Sequence, residues 1–321
     1  MQVASTAQSD HAAGARAPTM PPPLAASRFE LADARTGRIT CYADGPAGST
    51  DRPLLLIHSV NAAATAYEMK PLFEHYRSAR PVYALDLPGF GLSDRADRIY
   101  TPRIMTDAIL LAVHEIRRRH GDAGIDAIAL SLSCEFAARA GTEAPNLFRT
   151  LALLSPTGFD RRAEAAARKA GHKDATRAMP WVRNILNVPL WKHGFFTLLT
   201  SRASIRFFLQ KTFGRKDIDE GLLEYDYITT HQPGAENAPY SFVSGYLFSA
   251  NALKLYQALA MPVWMVHGVR GDFVDYNGKH AVEVLPNWTI QVMQTGAMPH
   301  FEQLDKVVSG YDDFLARAAG A

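Results

Sequence analysis

Cysteine is nearly absent from this 321-residue chain: Cys41 and Cys134 are the only two, and they are far apart in sequence. They form no C-x-x-C pair and no disulfide framework, so the chain reads as a protein of a reducing compartment, the cytoplasm. No stretch approaches the roughly 18 consecutive apolar residues of a membrane span. No charge sign dominates, because 34 Lys and Arg face 32 Asp and Glu for a net charge of +2. A global basic field of the nucleic-acid-binding kind is therefore excluded. There is no internal repeat, and no cluster of His, Cys, Asp and Glu has metal-ligand spacing. The pair Gly89-Phe90-Gly91 lacks the third glycine and following helix of a dinucleotide site. Residues 1–27 hold no compact apolar run, so they read as a disordered leader and not as a secretory signal.

Against these absences stand 47% hydrophobic and 10% aromatic residues, ordinary globular composition. Short Val-, Ile- and Leu-rich runs alternate with amphipathic ones. Phe29–Ala32 and Ile39–Ala43 predict an opening hairpin across Arg35-Thr36-Gly37. Pro53–His58, Pro81–Leu87, Ile125–Leu130, Thr150–Ser155, Pro262–His267 and Trp288–Met293 are apolar on both faces, as buried parallel strands are. Helices are expected over 63–75, 102–119, 134–142 and 301–318. In the second of these Ile104, Ile109, Val113 and Ile116 fall near one face, and Arg117, Arg118 and Arg119 suit its C-terminal dipole. Strand–helix alternation after a hairpin gives an α/β fold, a mostly parallel eight-stranded sheet with helices on both faces.

The rhythm breaks between Ser155 and Pro262, which predicts an inserted helical cap over 157–250 and a core made of 28–156 and 251–321. Residues 161–216 carry 13 Lys or Arg against Glu164 and Asp174 alone, and Asp217–Asp226 carries five acids and no base. Solvated helix faces that pair with each other are favoured, with a basic rim for an anionic substrate as the sharper alternative. Trp181, Ile185, Leu186, Leu190, Trp191, Phe195, Phe196, Leu198, Phe207 and Phe208 are expected to form the cap's core, with some lining an apolar pocket.

The strongest chemical signal is Ile125-Asp126-Ala127-Ile128-Ala129-Leu130-Ser131-Leu132-Ser133-Cys134-Glu135, a strand that runs straight into a serine and then a helix. A serine on such a turn needs small residues two positions away on each side, where the backbone folds back on itself. Ala129 and Ser133 satisfy this for Ser131. Glu135 fails it for Ser133, so Ser131 is the favoured nucleophile. Helix capping is the plain alternative role.

Two further segments carry a resemblance. Pro53-Leu54-Leu55-Leu56-Ile57-His58-Ser59 is similar to the His-Gly segment after the third strand of the α/β-hydrolase family. Asp86-Leu87-Pro88-Gly89-Phe90-Gly91-Leu92-Ser93-Asp94-Arg95 resembles that family's D-x-P-G-x-G-x-S-D-R loop. The likeness runs from about residue 28 to 318, with the cap where the family places it. It implies an oxyanion hole made by the N–H groups of Val60 and Leu132, with Ser59 standing where glycine is usual. A serine at 131 excludes the dehalogenase and epoxide-hydrolase branches, which need a carboxylate there. The acid member is expected after the seventh strand as Asp272, with Asp275 and Asp160 as weaker candidates; an Asx turn is the plain role for Asp272. The family's closing G-H-x-P-x-x-E reads Gly296-Ala297-Met298-Pro299-His300-Phe301-Glu302, so Ala297 holds the place of the catalytic histidine. His300 is the displaced-base candidate, and a supporting place behind the site at the start of the last helix is its other role. His58 is expected to be structural.

The resemblance implies a serine-dependent hydrolase of an ester or related carbonyl bond, acting on a small, partly apolar molecule without a cofactor. A non-catalytic binder with the same pocket is the alternative, as is hydrolysis of a carbon–carbon bond in a dienone acid.

Overall fold

All eight expected strands form, within one or two residues of their expected limits, and join one sheet. The computed structural model describes residues 20–160, 165, 172, 174–272 and 275–320. The strands are β1 (Ser27–Asp33), β2 (Gly37–Asp44), β3 (Leu54–Ile57), β4 (Val82–Asp86), β5 (Ile125–Leu130), β6 (Phe148–Leu154), β7 (Val263–His267) and β8 (Trp288–Val292). Their order across the sheet is β1-β2-β4-β3-β5-β6-β7-β8. β1 pairs antiparallel with β2, and β2 antiparallel with β4. Every later pairing is parallel.

Because side chains alternate across a strand, each central strand feeds two cores. Leu54 and Leu56 of β3 face one, with Ile128 and Leu130 of β5. Leu55 and Ile57 face the other, with Ala127 and Ala129. On the second face lie α2 (Pro102–His120) and α3 (Ser133–Glu143). On the first lie α1 (Lys70–Tyr76) and, near the C-terminus, the short Pro299–Glu302 helix followed by Leu304–Gly320. Helix α2 buries Met105, Ile109, Val113 and Ile116, and each such side chain removed from water contributes about 1.5–3 kcal/mol. The helix stops at Gly121, whose φ of 92° other residues adopt at a cost.

Between β6 and β7 the chain is helical: α4 (Pro180–Leu186), α5 (Lys192–Leu199), α6 (Arg202–Phe213), α7 (Glu220–Thr230), α8 (Asn237–Val243) and α9 (Ala252–Gln257). The large side chains expected to form a cap core do not mainly form one. Trp181, Ile185, Leu190, Trp191, Phe195, Leu198, Phe207 and Phe208 are exposed, while Phe196 is buried. The reason is geometric. Short helices bury one stripe at most, which in α6 is Ile205, Leu209 and Phe213 at i, i+4 and i+8. Phe207 and Phe208 stand off that stripe.

The charge blocks pair with each other, as favoured. Arg202 meets Glu224 at 2.7 Å and Arg206 meets Glu220 at 2.7 Å, tying α6 to α7. Arg161, Arg162, Arg168, Lys169 and Lys173 lie outside the described residues, as do residues 1–19 of the expected leader. Residues 20–27 of that leader are packed and not disordered. Leu24 is buried, the Tyr225 hydroxyl donates to the Pro21 carbonyl at 2.7 Å, and β1 begins at Ser27.

Candidate functional site

β5 ends at Leu130 and α3 begins at Ser133, leaving two residues for the whole turn. So short a reversal demands a left-handed backbone, and Ser131 supplies it with φ of 56°. That conformation costs a non-glycine residue about 1–3 kcal/mol, and such outliers cluster where function needs them. Two bonds hold it. The Ser131 N–H donates to the Leu154 carbonyl at 2.8 Å, and the Ser131 carbonyl accepts from Cys134 N–H at 3.1 Å. Ser131 is half-buried, whereas Ser133 is fully buried and its hydroxyl donates to the His58 carbonyl at 2.5 Å. That bond also fastens the start of α3 to the end of β3. Val60 and Leu132 are buried, yet among the described residues neither N–H has an acceptor. Buried backbone donors without partners are rare.

The segment around Val60 is held from behind. Glu68, buried in the turn before α1, accepts from Ser59 N–H at 2.7 Å, from Ser59 Oγ at 2.9 Å and from Asn61 Nδ2 at 2.9 Å. Asn61 Oδ1 accepts in turn from Ala63 N–H at 2.7 Å. Burial pushes the Glu68 carboxyl up to about 7, against the pull of its donors. Sequence reading missed Glu68. The signal was there, because it sits four residues before Leu72 and next to Met69, on the apolar side of the segment. His58 is structural, as expected. Its Nδ1–H donates to the Ser59 carbonyl at 2.6 Å, its Nε2 accepts from Leu87 N–H at 2.9 Å, and burial pulls its pKa down to about 4.

The other predicted side chains are not brought to Ser131 by their recorded bonds. His300 is buried with Nε2–H donating to the Glu68 carbonyl at 2.7 Å, and Nδ1 has no partner among the described residues. Burial holds its pKa near 4, so it is neutral. Asp272 is exposed. Its carboxylate meets Lys211 Nζ at 3.3 Å, on a surface groove of about 400 Å³ between α6 and the β7 loop. Asp275 is exposed and accepts from Asn277 Nδ2 at 2.7 Å, and Asp160 lies 3.6 Å from Arg177. The expected Asp272–His300 couple is therefore not made: each is bonded elsewhere. At Ala297 the backbone N–H donates to the Thr212 carbonyl at 2.8 Å, so the end of α6 rests on that position. Glu302 closes the same loop by accepting from Gly296 N–H at 2.6 Å and pairing with Arg270.

The Asp86–Arg95 loop is a scaffold. Asp86 accepts from Tyr42 at 2.6 Å, from Ala66 N–H at 2.8 Å and from Leu92 N–H at 2.8 Å. A Cβ at Gly91 would lie 2.0 Å from that carboxyl, with φ of 52° besides. Arg95 reaches across to Thr229 of α7 at 2.8 Å. Glu135, fully buried, ties both ends of the segment between β6 and α9: Thr157 Oγ1 donates to it at 2.6 Å and Ser249 N–H at 2.7 Å. Among the described residues no group of three His, Cys, Asp or Glu side chains is placed to hold a metal, and no helix is long and apolar enough to cross a membrane.

Residues 54–309 match the sequence profile described as the alpha/beta hydrolase family. No curated protein matches the chain in sequence. Among solved structures, a serine hydrolase involved in carbazole degradation is 13% identical with a TM-score of 0.63, covering 90% of this chain and 99% of that one. The meta-cleavage product hydrolase from Pseudomonas fluorescens IP01 is 16% identical with a TM-score of 0.62, covering 88% and 95%. A carboxylesterase from Bacillus subtilis is 15% identical with a TM-score of 0.61, covering 91% and 92%. Identities this low carry the fold and not the substrate.

Proposed function

The chain belongs to the alpha/beta hydrolase family, and from that premise we propose that Ser131 is the nucleophile of a slow hydrolase of an ester or related carbonyl bond. The substrate is a small, partly apolar molecule. The observation that carries this reading is Ser131 at φ of 56° between β5 and α3, with the buried Val60 and Leu132 N–H groups lacking acceptors among the described residues. In this reading Ser131 Oγ attacks the carbonyl carbon. The oxygen that gains negative charge accepts from Val60 and Leu132 N–H, the leaving alcohol departs, and water then releases the acid from the acyl-serine.

The proton is the weak point of the cycle. No imidazole stands at Ala297, Asp272 is paired with Lys211, and His300 has its Nε2–H donated to Glu68 and its basicity lowered by burial to a pKa of about 4. The serine proton passes to water, and loss of a general base typically costs about 10²–10⁴ in rate. In this reading His300 supports the Glu68 turn and is not the base. Capture of a ligand without turnover is the second reading, favoured by the seating of Thr212 on Ala297.

A fluorophosphonate probe tests the first reading. Phosphonylation of Ser131, lost in Ser131→Ala and kept in Ser133→Ala, supports it. A folded protein that stays unlabelled leaves the binder.

A further inference from the structure

Val60 lies between two residues whose side chains end on the same carboxylate. Ser59 gives Glu68 its N–H and its hydroxyl, and Asn61 gives its Nδ2, at 2.7, 2.9 and 2.9 Å. We propose that Glu68 is a positioning residue that, when ionised, clamps the Ser59–Asn61 turn and thereby aims the Val60 N–H at the oxygen of the bound carbonyl. The proposal rests on the nucleophile reading of Ser131.

The chemistry follows from the donors. Three N–H or O–H groups converge on the two oxygens, and an ionised carboxylate, an acceptor only, can take all three. Once protonated it carries a hydrogen to donate and accepts more weakly from the three. Ser59 needs this partner, since its hydroxyl is buried beside the sheet. The Glu68 backbone is fixed independently, by His300 Nε2–H on its carbonyl at 2.7 Å. The groups that face Glu68 are therefore Ser59 and Asn61 from the turn, His300 from the Pro299–Glu302 helix and Asp226 from α7. His300 is held neutral, and burial with the nearby Glu68 pushes the Asp226 carboxyl well above the ordinary carboxylate range. Burial sets Glu68 near 7, so its charge changes around neutral pH.

The test uses the full chain and two readouts. The first is hydrogen exchange of the Ser59 and Asn61 backbone region at one fixed pH, in the unmodified protein and in Glu68→Gln. The clamp predicts protection of the Ser59 N–H that is lost in Glu68→Gln, with the β3 core unchanged. The second is the rate of fluorophosphonate labelling of Ser131 from pH 6 to 8. A clamp that ionises near 7 predicts a rise of about tenfold over that range, absent in Glu68→Gln and kept in Asp226→Asn. If Glu68→Gln does not fold, Glu68→Asp replaces it, with the rise kept at a lowered rate. Unchanged Ser59 protection in a folded Glu68→Gln overturns the clamp, as does an unaltered pH profile. Ser131 unlabelled at every pH, with Ser59 protection lost in Glu68→Gln, sinks the nucleophile reading and leaves the clamp standing.

Discussion

The Ala297 N–H donates to the Thr212 carbonyl at 2.8 Å, so the last turn of α6 is bonded to the position that the G-H-x-P-x-x-E resemblance gives to the catalytic base. An imidazole installed there would stand at the family's site for the base, under α6. We expect Ala297→His to raise Ser131-dependent hydrolysis of an activated ester by about 10²-fold or more. Steady-state kinetics on Ala297→His and on Ala297→His with Ser131→Ala check this. No gain in the single variant would mean that Thr212 shuts the position or that Asp272, held by Lys211, cannot orient the ring.

Ser133 should matter to stability and not to chemistry. Its hydroxyl is spent on the His58 carbonyl, and removing it leaves a buried acceptor unpaired. Ser133→Ala is expected to cost about 1–3 kcal/mol in urea denaturation while Ser131 is still labelled.

Gly91→Ala should be among the most damaging small substitutions in the core. A Cβ there meets the Asp86 carboxyl at 2.0 Å in a left-handed backbone, and the same carboxyl holds Tyr42, Ala66 and Leu92. A loss of about 3 kcal/mol or more is expected, read as a lowered urea midpoint.

The pH dependence of stability should respond in opposite directions at Glu68 and His300. His300 has its folded pKa lowered to about 4, so its contribution is complete above the ordinary value of 6.5 and is lost as pH falls through that window. Glu68 has its folded pKa raised to about 7, so its contribution is complete below 4.5 and is lost as pH rises toward 7. Between pH 4.5 and 6.5, Glu68→Gln should steepen the rise of stability with pH by about 1.4 kcal/mol per unit, and His300→Gln should flatten it by as much. Buried Glu135 acts on the Glu68 side and is present in both variants, whereas Asp226 is raised in part by Glu68, so the Glu68→Gln difference reads that pair together. Denaturation curves at several pH values decide it.

Features set at short range could be read from the chain alone. The strands are legible because an apolar run bounded by turn residues is a local pattern. The Ser131 turn is legible because a strand meeting a helix without a loop needs small neighbours at 129 and 133. The Asp86–Arg95 loop is legible as a motif, whose Gly91 must clear a carboxyl five residues earlier. Whatever depends on partners far along the chain waited for the packing. Whether Phe207 or Leu209 faces inward depends on which stripe of α6 meets the sheet, and the helix offers two apolar sides. Asp272 went to Lys211 and His300 to Glu68 because a charge or a ring nitrogen bonds to whatever the packing of distant elements brings within reach. Glu68 is placed for the same reason: burial and three donors from the turn after β3 give a surface-type residue a place in the interior.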